Sequence, residues 1–323
     1  MNRYRRPRLS LLSTLGLIAL FLAAGCQQTT PSESSLPVAD PHPAGPAKTG
    51  ILLVSHGSHS EQWRTMLTQL GDEVQTELVA TEGIDGVKSA FMEYTEPSIA
   101  TRLKEFDAEG YTRVILIPIL LTVSSHSFDD IPTIVGLKED AKSLLTLESE
   151  GIERYTPQAT VTLAPLLDFS QLLEKNLPRR FAELSKSPAE EGVVLVAYGS
   201  EPFNEEWEAF FAHTDEVVQQ TTGAAEVVHT WCGHIAHYSG DPTKQAIDDL
   251  LTRRERVIVI PVLVARDEGF QGRIIGGAVA ESSAPERVAY AGDAILPDKN
   301  LNEWIVTIAR KLQSESTESP ASE

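Results

Sequence analysis

A nine-residue aliphatic run with a proline at its sixth position occurs twice in this chain of 323 residues, at 113–121 and again at 256–264. Six of the nine positions are identical, and the other three exchange one aliphatic residue for another. Residues 51–58, which end in His56-Gly57-Ser58, are echoed by 193–200, which end in Tyr198-Gly199-Ser200. Glu96-Pro97-Ser98 is likewise echoed by Asp241-Pro242-Thr243. The offsets are 142, 143 and 145 residues at Gly57, Pro118 and Pro97. Ordered matches at a nearly constant offset describe a tandem duplication. Near-continuous Val/Ile/Leu runs are strands covered on both faces, and the longer amphipathic stretches between them are helices. The chain is therefore expected to be α/β, with tandem duplicated domains that are each a small parallel sheet with helices on both faces.

In the first copy the pattern predicts strands over 51–55, 87–93, 113–120 and 160–163. Helices are expected over 60–80, 97–109, from about 129, and over 169–184. Pro97 and Pro242 suit the first turn of a helix, where a missing N–H costs nothing. Residues 188–192 read as a hinge between an N-terminal domain at 50–187 and a C-terminal domain at 188–313.

The N-terminus carries an address. Residues 1–25 hold Arg3, Arg5, Arg6 and Arg8 and no acid, then an apolar run and small residues before Cys26. This is the layout of a secretory signal peptide, and the run is too short for a comfortable membrane span. A Cys directly after Ala-Gly resembles a bacterial lipobox, although Ala23 stands where Leu is usual. That resemblance implies diacylglycerol on the Cys26 thiol and an exported protein held by its N-terminal lipid on the periplasmic side of a bacterial membrane. The alternative is an ordinary secretory signal with an incidental Cys. Residues 26–49 are a Pro/Ser-rich tether that cannot bury enough apolar surface to order itself, and 314–323 read as a disordered polar tail. With 46 Asp+Glu against 27 Lys+Arg and a net charge of −19, the chain lacks the cationic excess that a nucleic acid demands. Two cysteines make no disulfide scaffold, and a lipidated Cys26 leaves Cys232 without a partner.

Open parallel sheets bind ligands beyond the carboxyl ends of their strands. His56 follows the first strand, Glu93 ends the second, and His126 lies in the loop after the third; Ser58 stands near the next helix start. Two imidazoles and a carboxylate on one rim can bind a borderline divalent ion such as Co²⁺ or Fe²⁺, and neutral imidazole accepts protons near pH 7. The bland alternative is a pair of loop histidines with local hydrogen bonds.

Residues 51–58 with His56, then Ala90-Phe91-Met92-Glu93 before Glu96-Pro97-Ser98, then Ile117-Pro118 leading to His126 and Asp129-Asp130-Ile131-Pro132, together resemble the sirohydrochlorin chelatases. These class II tetrapyrrole chelatases insert cobalt or iron without ATP, so the resemblance implies no nucleotide cofactor. It covers nearly all of 50–185 and extends more weakly to 192–313 as the second half of a two-domain form. It implies that His56 and His126 bind the metal and help remove two pyrrole protons, with Glu93 as ligand or proton relay. The substrate partner would be a tetrapyrrole with eight carboxylates.

The second copy departs from this pattern. Tyr198 replaces the histidine, and the loop after the third strand becomes 265–273 with Arg266 and Arg273, which can pair with substrate carboxylates. His229, Cys232, His234 and His237 fall within nine residues and could hold a metal or a tetrapyrrole iron, with His234 and His237 as contact residues, or simply pack. Among rival functions, a histidine phosphatase needs an Arg where Ser55 stands. A phosphate loop built from Ser55, Ser58 and Ser60 leaves His126 unexplained. The strongest rival is a lipid-anchored protein that binds a metal, haem or corrinoid without chelatase turnover. Nothing in the sequence sets the oligomeric state.

Overall fold

The computed structural model describes residues 47–121, 124, 126–166 and 169–318. The expected signal peptide, Cys26 and nearly all of the expected tether lie outside these residues. The first half runs β1 (Thr49–Ser55), α1 (Glu61–Val79), β2 (Gly86–Phe91), α2 (Ile99–Ala108), β3 (Arg113–Pro118), α3 (Ile131–Ile134), α4 (Ala141–Glu150), β4 (Thr160–Leu163) and α5 (Phe169–Leu184). The second runs β5 (Glu191–Ala197), α6 (Asn204–Thr222), β6 (Glu226–Trp231), α7 (Asp241–Leu251), β7 (Arg256–Val262), α8 (Gly276–Ala280), β8 (Val288–Tyr290) and α9 (Lys299–Glu318). The two sheets are four-stranded, parallel and identical in order: β2-β1-β3-β4 and β6-β5-β7-β8.

The continuous aliphatic runs have the expected cause. Along β1 and β3, Ile51, Leu53, Ile115 and Ile117 point to one core, while Leu52, Val54, Val114 and Leu116 point to another. Alternate residues of a strand face opposite sides, so burial of both faces removes the polar alternation. The core on the Ile51 side is shared: Val193, Leu195, Ile258 and Ile260 of the second sheet belong to it, with residues of α1, α5, α6 and α9 between.

The halves exchange their last helices. Helix α5 packs on α6 and β7, and α9 packs on α1 and β3. Asn176 of α5 donates to the Ile295 carbonyl at 3.2 Å and to Asp298 at 2.7 Å. Arg113 on β3 reaches back to α9, donating to Gln313 Oε1 at 3.0 Å and the Leu312 carbonyl at 2.9 Å. A cut near residue 187 therefore follows the repeat in the sequence but severs each sheet from one of its covering helices.

Three local expectations are corrected. Residues 188–192 are no hinge: after a 3₁₀ turn at Pro188–Glu190, β5 begins at Glu191, which is 1 % exposed. Its carboxylate accepts from the Ser185 hydroxyl, the Lys186 N–H at 3.0 Å and Arg256 at 2.7 Å, and these bonds tie the junction down. Pro97 precedes α2, whose N-cap is Ser98, whereas Pro242 does sit in the first turn of α7. The tail is not disordered from 314, because α9 continues the helix to Glu318. Its inward face, with Leu301, Ile305 and Ile308 against the shared core, carries the helix past the apolar stretch.

Candidate metal centre and its opposite rim

The strand ends of the first sheet do converge. His56 lies one residue beyond β1, Glu93 two beyond β2, and His126 opens a one-turn π-helix (His126–Asp130) after β3. The His56 and His126 rings stand 5.2 Å apart, edge to face. His56 Nε2 is 2.8 Å from Glu93 Oε1, and His126 Nδ1 is 2.8 Å from Asp130 Oδ2. Glu93 is 6 % exposed, so its charge is removed from water and depends on these partners.

Hydrogen-bond chemistry assigns the protons. His56 Nδ1 faces the Gly57 carbonyl at 2.9 Å, which can only accept, so that nitrogen carries a proton. Nε2 faces a carboxylate, so both ring nitrogens meet acceptors and the imidazolium form is favoured. Burial works against that charge, but the bond and charge of Glu93 outweigh it and His56 is raised. Burial would also raise Glu93, yet the His56 bond and charge hold it down at about 2. On His126 the Asp130 carboxylate accepts a hydrogen bond from Nδ1–H, which turns Nε2 outward as the lone-pair donor, the usual device for orienting a ligating imidazole.

A fourth residue was not foreseen. Glu150, the last residue of α4, shares a hydrogen bond with Glu93 and is pushed up to about 7 by that carboxylate and by burial. Glu150 therefore takes up and releases a proton around neutral pH while Glu93 keeps the negative charge. The signal was present but unread: an acid in the last helical turn, just before the left-handed Gly151 cap, sits against the negative end of the helix dipole. Among the described residues no group of three or more His, Cys, Asp or Glu side chains is poised to enclose an ion; in this arrangement His56 and Glu93 are bonded to each other.

Gly57 makes the loop possible. A Cβ there would fall 1.5 Å from the Glu93 carbonyl oxygen, so the two loops cross backbone to backbone. Gly57→Ala is expected to cost about 3 kcal/mol or more, since backbone rather than a movable side chain must give way. Urea unfolding measures it, and a loss below about 1 kcal/mol would show that the crossing can relax.

The other expected site residues divide. Ser58 is engaged within the protein: its Oγ donates to Asp267 of the second half at 2.9 Å and accepts the Ser60 N–H at 3.0 Å. Arg266 and Arg273 do lie in the segment after β7. Arg266 is 4.0 Å from Glu268, with its backbone N–H on the Met66 sulfur, and Arg273 is exposed. The four-residue cluster of the second half does not converge. His229 lies inside β6, clamped between Asp215 at 2.6 Å and Glu208 at 3.2 Å on α6, and Cys232 is fully buried. Only His234 meets Tyr198, while His237 takes a left-handed backbone with φ 49°.

Residues 50–184 match the CbiX family model. The sirohydrochlorin cobaltochelatase of Methanosarcina barkeri is 29% identical over 106 residues, 32% of this chain and 78% of that protein. The Saccharolobus solfataricus protein of the same name is 25% identical over 134 residues, 42% of this chain and 94% of its own length. Among solved structures, the sirohydrochlorin chelatase SirB from Bacillus subtilis subspecies spizizenii, in complex with cobalt, shares the fold. Its TM-score is 0.59 at 16% identity, over 84% of this chain and 97% of that one.

Proposed function

We propose, from the match of residues 50–184 to the CbiX family model and the similarity to sirohydrochlorin cobaltochelatases, that this protein inserts Co²⁺ or Fe²⁺ into a sirohydrochlorin-type tetrapyrrole without a nucleotide. The observation that carries the reading is the pair of imidazoles 5.2 Å apart on one rim, one of them bonded to a nearly buried carboxylate. Insertion exchanges a hydrated divalent ion for two pyrrole protons, so the site needs exchangeable ligands and bases side by side. His126, fixed through Asp130, presents Nε2 to the incoming ion. His56 joins as the second ligand as the divalent ion displaces its Nε2 proton, and Glu150, paired with Glu93, is the store through which protons leave. A site without a closed cage suits an ion that must be handed on.

The second half lacks this equipment and serves to hold the substrate, with Arg266 and Arg273 taking carboxylate arms. Residues 27–323 mixed with sirohydrochlorin and Co²⁺ or Fe²⁺ should accelerate the absorbance change of metallation over the uncatalysed rate. No acceleration, together with tight binding of metal or haem, would replace the enzyme with a binding protein. Unchanged tetrapyrrole affinity in the Arg266→Ala, Arg273→Ala double variant would remove the carboxylate role.

The export address is part of the same reading. Cys26 bears the lipid, and the tether lets the folded part stand off the periplasmic side of the membrane. Growth with labelled fatty acid should label the full chain and leave Cys26→Ser unlabelled and released from the membrane fraction. Equal labelling of both forms would sink the lipoprotein assignment.

A further inference from the structure

Where the first half carries His56, the second carries an aromatic cluster that the chelation reading leaves unused. Tyr198 lies one residue beyond β5, as His56 does beyond β1. Its hydroxyl is 3.0 Å from the Tyr238 hydroxyl and 3.3 Å from His234 Nε2. Metal bonds of about 2.0–2.1 Å place neighbouring ligands of an octahedral ion about 2.9 Å apart. Three donors from two loops thus already stand near the spacing of ligands on one ion.

The cluster is built rather than incidental. The turn after β6 folds onto Tyr198, with Gly233 N–H donating to the Tyr198 carbonyl at 2.9 Å and Tyr238 N–H to the Gly233 carbonyl at 2.9 Å. A Cβ at Gly233 would fall 2.7–2.8 Å from the Tyr198 ring, so the glycine lets the ring lie against the turn. Phe270 backs the ring at 5.5 Å. Consecutive residues His237 and Tyr238 hold φ of 49° and 58°, a conformation that non-glycine residues adopt at some cost. Tyr94, beside Glu93, has φ of 64° in the loop after β2, so the same device presents a side chain on each rim. Tyr238 is 51 % exposed, which leaves the donors open to an incoming ion.

We propose that Tyr198, Tyr238 and His234 form a second site, one that takes ferric iron from a small chelate through two phenolates and an imidazole on neighbouring positions of the ion. Phenolate is a hard anionic ligand and matches a hard trivalent ion. As two iron–oxygen bonds form, two phenolic protons go to solvent, and the iron stays ferric throughout.

The site goes beyond the chelatase reading and is separable from it. Residues 27–323 are titrated with ferric nitrilotriacetate. A phenolate-to-iron charge-transfer band is expected as the iron passes from the chelate to the site. Tyr198→Phe and Tyr238→Phe, which keep the rings and their packing, should each weaken binding by about tenfold or more, and the double variant should lose the band. His56→Ala combined with His126→Ala, which abolishes the proposed chelation, should keep it. Absence of the band with ferric nitrilotriacetate, its persistence in the double phenylalanine variant, or its loss in the double histidine variant would overturn the site.

Discussion

Alanine at His126 is expected to lower the rate of Co²⁺ insertion by about 10²–10⁴-fold, the range that a positioned ligand or base commonly supplies. His56→Ala should fall in the same range. The double variant should be little worse than the poorer single one, because residues that act on one ion and one pair of protons fail as a unit. Glu93→Gln removes the acceptor for the His56 proton while leaving a group of the same shape. It should slow insertion while leaving tetrapyrrole affinity nearly intact, which separates proton handling from substrate binding.

The pH profile adds a direction. Glu150, pushed up to about 7, is full below that pH and empty above it, so the rate should climb through neutrality as the proton store gains a vacancy. Glu150→Gln should flatten that limb without the large loss seen at the histidines. Singles that retain rates within about twofold of the unmodified protein, less than about 0.5 kcal/mol of barrier, would place the chemistry elsewhere.

The sequence disclosed what depends on short-range pattern. The aliphatic runs announced strands buried on both faces, and the strand ends located His56, Glu93 and His126 before any coordinates. What escaped was set by contacts distant in the chain. Glu150 lies 57 residues beyond Glu93 and meets it only because α4 ends over the same rim. Ser58 looked like a ligand group at a helix start, yet its partner is Asp267, 209 residues away. Four residues clustered in sequence at 229–237 separated in space, because His229 is on a strand facing α6 while His234 is on a turn facing Tyr198. The exchange of α5 and α9 was invisible for the same reason: an amphipathic helix records that it has an apolar face, and not which sheet covers it.

Arg180 on α5 is where that exchange is most exposed to test. Its side chain is 1 % exposed, donates to Asp293 at 2.8 and 2.5 Å, and reaches the Pro261 carbonyl at 2.8 Å. Asp293 and Pro261 belong to the second half, so a helix of the first half supplies the charge that the second half has buried around it. The bonds continue. The Asp293 carbonyl accepts from Gln271 at 3.3 Å, and Gln271 Oε1 accepts the Asp267 N–H at 2.9 Å, while Asp267 holds Ser58 beside His56. Arg180→Met fills similar space but takes the donor from the Pro261 carbonyl and leaves the Asp293 carboxylate, 36 % exposed, to water, and the expected loss is about 1–3 kcal/mol in urea unfolding. Arg180→Lys should recover only part of it, because one ammonium cannot serve the forked contact to Asp293 and the carbonyl together. Replacing Asp293 by Asn in the Arg180→Met background should restore little, since water reaches the Asp293 carboxylate and the unpaired Pro261 carbonyl carries most of the cost. Below its unfolding transition Arg180→Met should still metallate at close to the unmodified rate, because Gln271 remains anchored by the Ala265 carbonyl at 3.1 Å and keeps Asp267 in place. A loss under about 1 kcal/mol would mean that water can replace Arg180, and that the exchanged helix is held by its apolar face alone.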